Sequence, residues 1–252
     1  MRDLLLYFSC KYEGDWSKIY KAIKEQEKVD LTLVNEYKDK ITSNYITILD
    51  DNYPKCLMNS VCPPYVFYYK GDISLISNNK TIAVIGAREN SLYGEMMTRQ
   101  LVIDLVKNGY IIISGLARGI DSIAHKECIS NNGKTVAIVG SGLNYTYPKE
   151  NYILQKEIEE KGLMISEYPD FVKPKPLHYP YRNRLIAAFA KSILVTEAKY
   201  KSGTMITVRH GLNCGRDIFV VPHLANSESG CNKLIKEGAQ LVENVNDIIN
   251  YW

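Results

Sequence analysis

Residues 81–126 carry the sequence TIAVIGARENSLYGEMMTRQLVIDLVKNGYIIISGLARGIDSIAHK, in which two apolar runs flank a helical pattern. The runs Thr81–Ile85 and Tyr110–Ile113 are β-branched and continuously apolar, which is typical of strands that helices cover on both faces. Between them, Leu101 and Leu105 lie four positions apart, and a glycine follows where a helix would end. This order predicts a βαβ unit.

The same unit repeats along most of the chain. The later apolar runs are Lys134–Val139, Gly162–Ile165, Ser192–Val195 and Asp217–Val221, and successive runs start 24 to 30 residues apart. The pattern predicts an α/β fold with a Rossmann-like, doubly wound, mainly parallel sheet of about six strands. If the strand order is the common 3-2-1-4-5-6, the first and fourth strands are neighbours.

The first part of the chain does not share this period. Residues 1–43 favour two or three short helices, and we expect them to form a small N-terminal helical appendage. Residues 44–80 contain the punctuating dipeptide Tyr53-Pro54 and favour an extended segment that leads into the sheet. The predicted division is therefore 1–43 for the appendage and 44–252 for the main domain.

Composition limits the classes of function. Apolar residues make up 46% of the chain and charged residues 23%, which is typical of a folded domain and not of a disordered one. No window reaches the roughly 18 consecutive apolar residues of a membrane span. The six cysteines are scattered, with no C-x-x-C pair, so we expect reduced thiols. These features predict a cytoplasmic protein that does not bind a membrane.

The positive charge is concentrated between residues 171 and 216. This segment holds nine basic side chains against one acid, Glu197, while the whole chain carries a net charge of only +3. Tyr179, Tyr181 and Tyr200 lie among the basic groups. Cations mixed with aromatic rings suit single-stranded nucleic acid, because phosphates need positive charge and unstacked bases need flat apolar partners. The alternative interpretation is a solvated basic face that binds nothing.

The loop after the first predicted strand has the character of a phosphate site. Gly86 and Ala87 allow close approach to backbone N–H groups at a helix start, and Arg88 adds a fork of donors. A dinucleotide site would need G-x-G-x-x-G and an acid at the end of the second strand, whereas Arg88 takes the third position and that strand ends in Ser114-Gly115. We therefore expect no cofactor and no hydride chemistry.

Two further loops should lie at the same edge of the sheet. After the fourth strand, a proline-rich arm leads to Tyr179, and Arg182, Asn183 and Arg184 are expected to begin the next helix. With the assumed strand order, this segment and Arg88 would form opposite sides of one crevice. After the fifth strand, Lys199 is followed by Ser202 and Gly203 at another helix start, which adds backbone donors to the same edge.

No residue pattern indicates catalysis or metal binding. His125 follows Asp121 by four positions on a predicted helix, which favours a structural histidine bonded near that carboxylate over a general base. The pairs His125 with Cys128 and His210 with Cys214 have helical spacing, but neither has a second pair that would complete a zinc site. We expect no enzyme activity, no catalytic residue and no metal.

The ordered series of loops resembles the DNA-processing protein A family, also called DprA or Smf. The resemblance covers roughly residues 45–245. The matching stretches are Gly86-Ala87-Arg88, Ser114-Gly115-Leu116-Ala117-Arg118-Gly119-Ile120-Asp121 with Ala124-His125, Gly140-Ser141-Gly142 with Tyr147-Pro148, Ser166-Glu167-Tyr168, Pro180 with Arg182-Asn183-Arg184, Glu197-Ala198, Ser202-Gly203, and Gly230-Cys231-Asn232 with Leu234-Ile235.

The resemblance implies an extended Rossmann fold, a homodimer, binding of single-stranded DNA without strong sequence preference, and loading of the RecA recombinase in natural transformation. Many members carry a winged-helix domain after the Rossmann part, whereas this chain ends at Trp252, and the usual Pro-Gly after the sixth strand is Pro222-His223 here. The DNA-binding positions that the resemblance and the loops indicate are Gly86, Ala87, Arg88, Lys175, Tyr179, Arg182, Asn183, Arg184, Lys199, Ser202 and Gly203.

The competing hypothesis is a sensor or an enzyme for a small nucleotide. Related Rossmann-like domains include phosphoribohydrolases that act on nucleoside monophosphates. That activity would require a Pro-Gly-Gly-x-Gly-Thr loop with a catalytic glutamate nearby, and only Ser202-Gly203-Thr204 is present. A third hypothesis, a purely structural interaction module, leaves the basic segment unexplained.

Overall fold

A computed structural model describes residues 1–225 and 229–251. The helices are α1 (Arg2–Lys11), α2 (Trp16–Lys24), α3 (Leu31–Asp39), α4 (Lys55–Met58), α5 (Leu92–Lys107), α6 (Ile120–Ser130), α7 (Tyr152–Lys161), α8 (His178–Phe189), α9 (Gly203–Asn213), α10 (Gly230–Lys236) and α11 (Asn246–Ile249). The strands are β1 (Asn44–Thr47), β2 (Val66–Gly71), β3 (Thr81–Gly86), β4 (Ile111–Ser114), β5 (Thr135–Val139), β6 (Leu163–Ser166), β7 (Ser192–Glu197), β8 (Asp217–Val220) and β9 (Gln240–Leu241).

The strands of the described residues form one sheet of nine, ordered β1-β2-β6-β5-β4-β3-β7-β8-β9. Strands β3 to β9 pair with one another in parallel, whereas β1 pairs antiparallel with β2, and β2 pairs antiparallel with β6. The six predicted runs are strands β3 to β8. The fold class is confirmed, because the sheet is mainly parallel and helices cover both faces.

The strand order differs from the common one assumed above. The six predicted strands follow the order 4-3-2-1-5-6, so the first strand, β3, pairs with the fifth, β7, and the fourth, β6, lies beyond β5 and β4. The spacing of apolar runs indicates how many strands there are, but which strands pair depends on how each connection crosses the sheet. The strand order reverses between β3 and β7, and a ligand crevice is expected at that point.

The core lies on both faces of the sheet. Ala83 and Ile85 of β3 pack into the cluster that contains helices α8 and α9, whereas Ile82 and Val84 pack into the cluster that contains α5 and α6. All four residues are at most 3% exposed. Burial on both faces explains why the strand sequences are apolar throughout instead of alternating.

The N-terminal segment forms three helices, as predicted, and it packs against the sheet. Leu5, Leu6 and Cys10 of α1 belong to the same buried cluster as residues of β2, β5 and β6. The buried carboxylate of Asp170 accepts hydrogen bonds from the backbone N–H groups of Thr42 (2.7 Å) and the residue after it (2.8 Å). The division between residues 43 and 44 stays a prediction.

Residues 44–80 contain more structure than the predicted extended segment. They add the two antiparallel strands β1 and β2 to the edge of the sheet beside β6, as well as helix α4 and a short 3₁₀ helix, Ile73–Ser77. Among the helices in the described ranges, none is long and apolar enough to cross a membrane.

Candidate nucleic-acid interface

An open cleft of about 490 Å³ lies at the carboxyl ends of β3 and β7, where the strand order reverses. Its walls come from the loop after β3, the first half of α8, the loop after β7 and the start of α9. Eight of the eleven predicted binding residues line it: Gly86, Ala87, Arg88, Arg182, Asn183, Lys199, Ser202 and Gly203. Lys175, Tyr179 and Arg184 do not.

The loop after β3 is pressed against the start of α6. A Cβ at Gly86 would lie 2.6 Å from Ile120 Cγ1 and 2.9 Å from the carbonyl oxygen of Glu197, so only glycine fits there. The backbone N–H of Ile120 donates to the carbonyl oxygen of Ala87 at 3.1 Å. These contacts fix the backbone of the loop, so that Arg88 projects from a rigid base.

Glu197 holds the same loop from the side of β7. Its Oε2 accepts hydrogen bonds from the backbone N–H of Ser91 (2.9 Å) and from the Ser91 hydroxyl (3.0 Å). A Cβ at Gly94 would lie 1.9 Å from that oxygen. Glu197 therefore positions the start of α5. The sequence analysis missed this role, although Glu197 is the only acid in the basic segment.

The start of α9 presents backbone donors to the cleft. No side chain caps the helix: the Ser202 hydroxyl donates to the carbonyl of Lys199 at 3.0 Å, and the space around Gly203 is open. Thr204 donates to the carbonyl of Gly86 at 3.1 Å, which joins α9 to the loop after β3. Uncapped N–H groups at a helix start attract anions such as phosphate.

Two exposed cations, Arg88 and Lys199, lie at the rim of the cleft. Two acids line the cleft as well: Glu89 is exposed, whereas Asp121 is buried beside Arg182. The exposed rim therefore carries two positive charges and one negative charge, which favours an anionic ligand.

Tyr179 lies beside the cleft and contacts Arg88. The guanidinium carbon of Arg88 is 5.7 Å from the centre of the Tyr179 ring, within the range of a cation–π contact. Arg88 and Tyr179 were predicted to share a crevice on the basis of the wrong strand order. They meet because α8 returns beneath the sheet and packs against β3, β4 and β5. Burial raises the pKa of the Tyr179 phenol to about 12.

Arg182 differs from the prediction. Helix α8 begins at His178 and not at Arg182, and the Arg182 side chain is turned inward, with the residue 3% exposed. Its Nη1 donates to the carbonyl oxygens of Gly115 (2.7 Å) and Ile138. Burial lowers its pKa to about 10, and the nearby Asp121 carboxylate opposes that effect. Arg182 forms a wall of the cleft and is not an exposed cation for phosphate.

Arg184 is also buried. Its Nη2 lies 2.6 Å from Glu167 Oε1, and the two side chains are only 3% and 4% exposed. The same nitrogen donates to the carbonyl of Cys62 at 2.9 Å, and the guanidinium lies 4.0 Å from the centre of the Tyr181 ring. The prediction of a phosphate contact at Arg184 does not fit this position, because the guanidinium is surrounded by protein.

Lys175 lies outside the cleft. It forms an exposed ion pair with Glu13 of the N-terminal segment, beside a separate hollow between the α1–α2 loop and the start of α8. The spacing of the proline-rich arm does not bring Lys175 to Arg88, so its assignment as a cleft residue is not supported by its position.

His125 is structural, as predicted, but its partner is not Asp121. Nδ1 lies 2.6 Å from the Thr135 hydroxyl oxygen, and that hydroxyl donates to the carbonyl of Ile112, so Nδ1 must carry the proton. Complete burial, with the positive charge of Arg182 nearby, lowers the pKa of His125 to about 3. Within residues 1–225 and 229–251, no group of three His, Cys, Asp or Glu side chains could hold a metal ion.

The fold and the cleft define the class: a Rossmann-like α/β domain with a cationic, donor-rich cleft at the point where strand order reverses. A sequence profile of the DNA recombination-mediator protein A family matches residues 44–252. The chain belongs to that family, and the resemblance noted in the sequence is confirmed.

Individual relatives agree with this assignment. The DNA processing protein DprA of Streptococcus pneumoniae is 40% identical over 205 residues, which are 81% of this chain and 72% of that protein. The X-ray structure of DprA from Streptococcus pneumoniae matches with a TM-score of 0.85 at 30% identity and covers 99% of this chain and 96% of that one.

A second structure is that of DNA processing protein A from Helicobacter pylori, which is described for its single-stranded DNA binding mode. It matches with a TM-score of 0.75 at 32% identity and covers 83% of this chain and 95% of that one. The family profile covers residues 44–252, and this range includes β3 and β7, the strands that form the cleft.

Proposed function

We propose that this protein binds single-stranded DNA in the cleft between β3 and β7. The observation that carries the proposal is the rim itself: Arg88 and Lys199 are exposed beside the uncapped start of α9. Cationic side chains and backbone N–H groups line the same cleft, and both kinds of group bind phosphate. The Helicobacter pylori protein supports the proposal, because its structure is described for a single-stranded DNA binding mode.

The preference for single strands over duplex DNA comes from the aromatic residues beside the cleft. Tyr179 lies directly beside Arg88. In a duplex the bases are stacked on one another, whereas in a single strand they can stack on protein rings. Phosphate contacts alone would not distinguish the two, so we propose that the adjacent aromatic rings do.

A titration with labelled oligothymidine, with duplex DNA as competitor, tests this function. We expect the oligothymidine to bind and the duplex to compete poorly. Lys199→Ala should weaken binding and Glu89→Gln should tighten it, because the two substitutions change the rim charge in opposite directions. Lys126→Ala removes an exposed lysine on α6 and serves as the control. Unchanged affinity in all three variants would contradict the proposed site.

We also propose that the protein forms a homodimer, loads RecA onto single strands in natural transformation, and acts in the cytoplasm. The support is membership of the family. Sedimentation velocity at micromolar concentration and a RecA strand-exchange assay test the first two points. A monomer with no effect on strand exchange would contradict both.

We propose that the protein is a binding protein and not an enzyme. Glu197 is the acid nearest in sequence to the Ser202-Gly203-Thr204 loop, and its Oε2 already accepts two hydrogen bonds from Ser91. Incubation with nucleoside monophosphates should give no free base. Product that disappears in Glu197→Gln would instead support the nucleotide-hydrolase hypothesis.

A further inference from the structure

The proposed function assigns no role to Tyr147, an exposed aromatic residue near the cleft. Tyr147, in the loop after β5, is 50% exposed, and its ring centre lies 5.3 Å from that of Tyr179 at an interplanar angle of 39°. Tyr179 in turn contacts Arg88 of the cleft rim. Arg88, Tyr179 and Tyr147 therefore form a continuous strip that begins at the cleft and runs toward β5.

Most of the Tyr179 ring is already covered by protein. The Arg88 guanidinium lies over it, and a Cβ at Gly140 would be 3.1 Å from its Cδ1. Its hydroxyl oxygen is buried, and no hydrogen-bond partner for it lies within the described residues. The most exposed aromatic ring of the strip is therefore Tyr147, and the partly exposed Tyr179 ring packs against it.

The loop that carries Tyr147 is held firmly in place. The backbone N–H of Gly142 donates to the carbonyl of Val172 at 2.8 Å, and a Cβ at Gly142 would lie 2.2 Å from the carbonyl oxygen of Pro169. Just beyond Tyr147, the Asn151 side chain donates to the carbonyl of Leu116 at 3.1 Å. A ring on such a loop loses little conformational freedom when a ligand stacks on it.

We infer that Tyr147 stacks on a base of single-stranded DNA. This position lies outside the cleft, where the bound DNA runs from the cleft toward β5. The inference rests on the proposed function and extends it to a residue with no assigned role. The charged pair beside this ring is Arg118 and Glu150, both exposed. Arg118 offsets the negative charge of Glu150, which would otherwise repel the phosphates.

Substitution of Tyr147 tests this position. Tyr147→Ala should raise the Kd for a long oligothymidine about tenfold, as expected for the loss of one stacked base. Tyr147→Phe should bind like the wild type, because the ring and not the hydroxyl makes the contact. Tyr20→Ala is the matched control, since Tyr20 is also half exposed and stacked on another ring, that of Trp16, at 5.3 Å.

The length of the oligonucleotide separates this position from the cleft. The affinity of the wild type should rise as oligothymidine is lengthened. In Tyr147→Ala the affinity should stop rising once the oligonucleotide is long enough to reach residue 147. Short oligonucleotides that fill only the cleft should bind both proteins equally. Thermal unfolding of the variants checks that each is folded.

Photo-crosslinking gives an independent readout with the unaltered protein. Oligothymidine with a single 5-iododeoxyuridine should crosslink to the tryptic peptide 135–149 at Tyr147 when the probe is near one end of the bound strand. If Tyr147 instead anchors a protein partner, Tyr147→Ala will bind oligothymidine of every length normally and no crosslink will form, which overturns the inference. Lys199→Ala would still weaken binding in that case, so the proposed function would survive.

Discussion

Two pairs of predicted DNA-binding cations occupy opposite environments, one in the interior of the protein and one at the rim of the cleft. Arg182 and Arg184 on α8 are each 3% exposed, and they bind carbonyl oxygens and the carboxylate of Glu167. Arg88 and Lys199 are exposed at the rim. Taking a guanidinium out of water is costly unless partners surround it, so the buried arginines need these partners. A cation near a binding site can therefore stabilise the fold without touching the ligand.

This difference separates stability from binding. Substitution of the interior pair should change the free energy of unfolding, and substitution of the rim pair should change the affinity for DNA. A variant of Arg182 or Arg184 that folds normally and loses only affinity for DNA would contradict this division of roles. So would a variant of Arg88 or Lys199 that unfolds.

The largest effect is expected for Arg184→Ala. The substitution leaves the carboxylate of Glu167 buried without its partner, and breaking one side of a buried ion pair typically costs about 3–5 kcal/mol. Urea unfolding at neutral pH measures this loss. Arg2→Ala, which breaks an exposed ion pair with Asp50, is the control and should cost at most about 1 kcal/mol. Equal losses in the two variants would show that Arg184 is not buried as described.

The next effect is the pH dependence that His125 contributes. Its pKa falls from 6.5 to about 3 in the folded protein, so the folded state binds fewer protons than the unfolded state between these values. The contribution of the neutral His125 to the free energy of unfolding is therefore fully present above pH 6.5 and is lost as the pH falls. At pH 4 the free energy of unfolding should be lower by roughly 3 kcal/mol. Urea unfolding at pH 7 and pH 4 measures this.

The matched variant for this prediction is His125→Gln, which cannot titrate. Asp121 and Glu167 have raised pKa values because they are buried, and their contribution has the opposite sign. The difference between wild type and variant isolates the histidine from these carboxyls. Wild type and variant with the same pH dependence would contradict the prediction.

A smaller effect is expected at the rim. Arg88→Ala should leave the free energy of unfolding within about 0.5 kcal/mol of the wild type, as for a typical surface substitution. It should reduce the slope of log affinity against log salt concentration by about 0.7, the value for one phosphate contact on a single strand. Fluorescence anisotropy over a salt series measures the slope. An unchanged slope would remove Arg88 from the proposed interface.

The smallest effect is expected for Tyr179→Phe. The ring remains to support Tyr147, and the substitution removes a buried hydroxyl that lacks a hydrogen-bond partner within the described residues. Affinity for oligothymidine should not change, and stability should be equal or higher by about 1 kcal/mol. Thermal unfolding measures the second quantity. A clear loss of stability would show that the hydroxyl has a partner.

The sequence predicted the elements of the fold better than their arrangement. Six apolar runs correspond to β3 to β8, because strands buried on both faces leave a plain signal. The strand order was wrong, because each connection can cross the sheet to more than one neighbour. β1 and β2 were missed as strands, since they lie outside the repeating pattern and are separated by a segment with three prolines, which favours a loop.

The site shows the same limit at the level of side chains. Gly86, Ala87, Arg88, Lys199 and Gly203 line the cleft as the loops predicted, because the carboxyl ends of parallel strands meet at one edge. Composition cannot show that a cation faces the interior, so Arg182 and Arg184 were mistaken for surface charges. Their positions follow from the face of α8 on which they lie, and that face is set by tertiary packing.

The walls of the cleft are joined to one another by hydrogen bonds. Glu197 holds Ser91, Thr204 holds the carbonyl of Gly86, and Ile120 holds the carbonyl of Ala87. Because these contacts hold the described loops of the cleft in place, the association rate should be set by diffusion and electrostatic steering, and it should fall steeply as ionic strength rises. Differences in affinity between oligonucleotides should then appear chiefly in how long each strand stays bound.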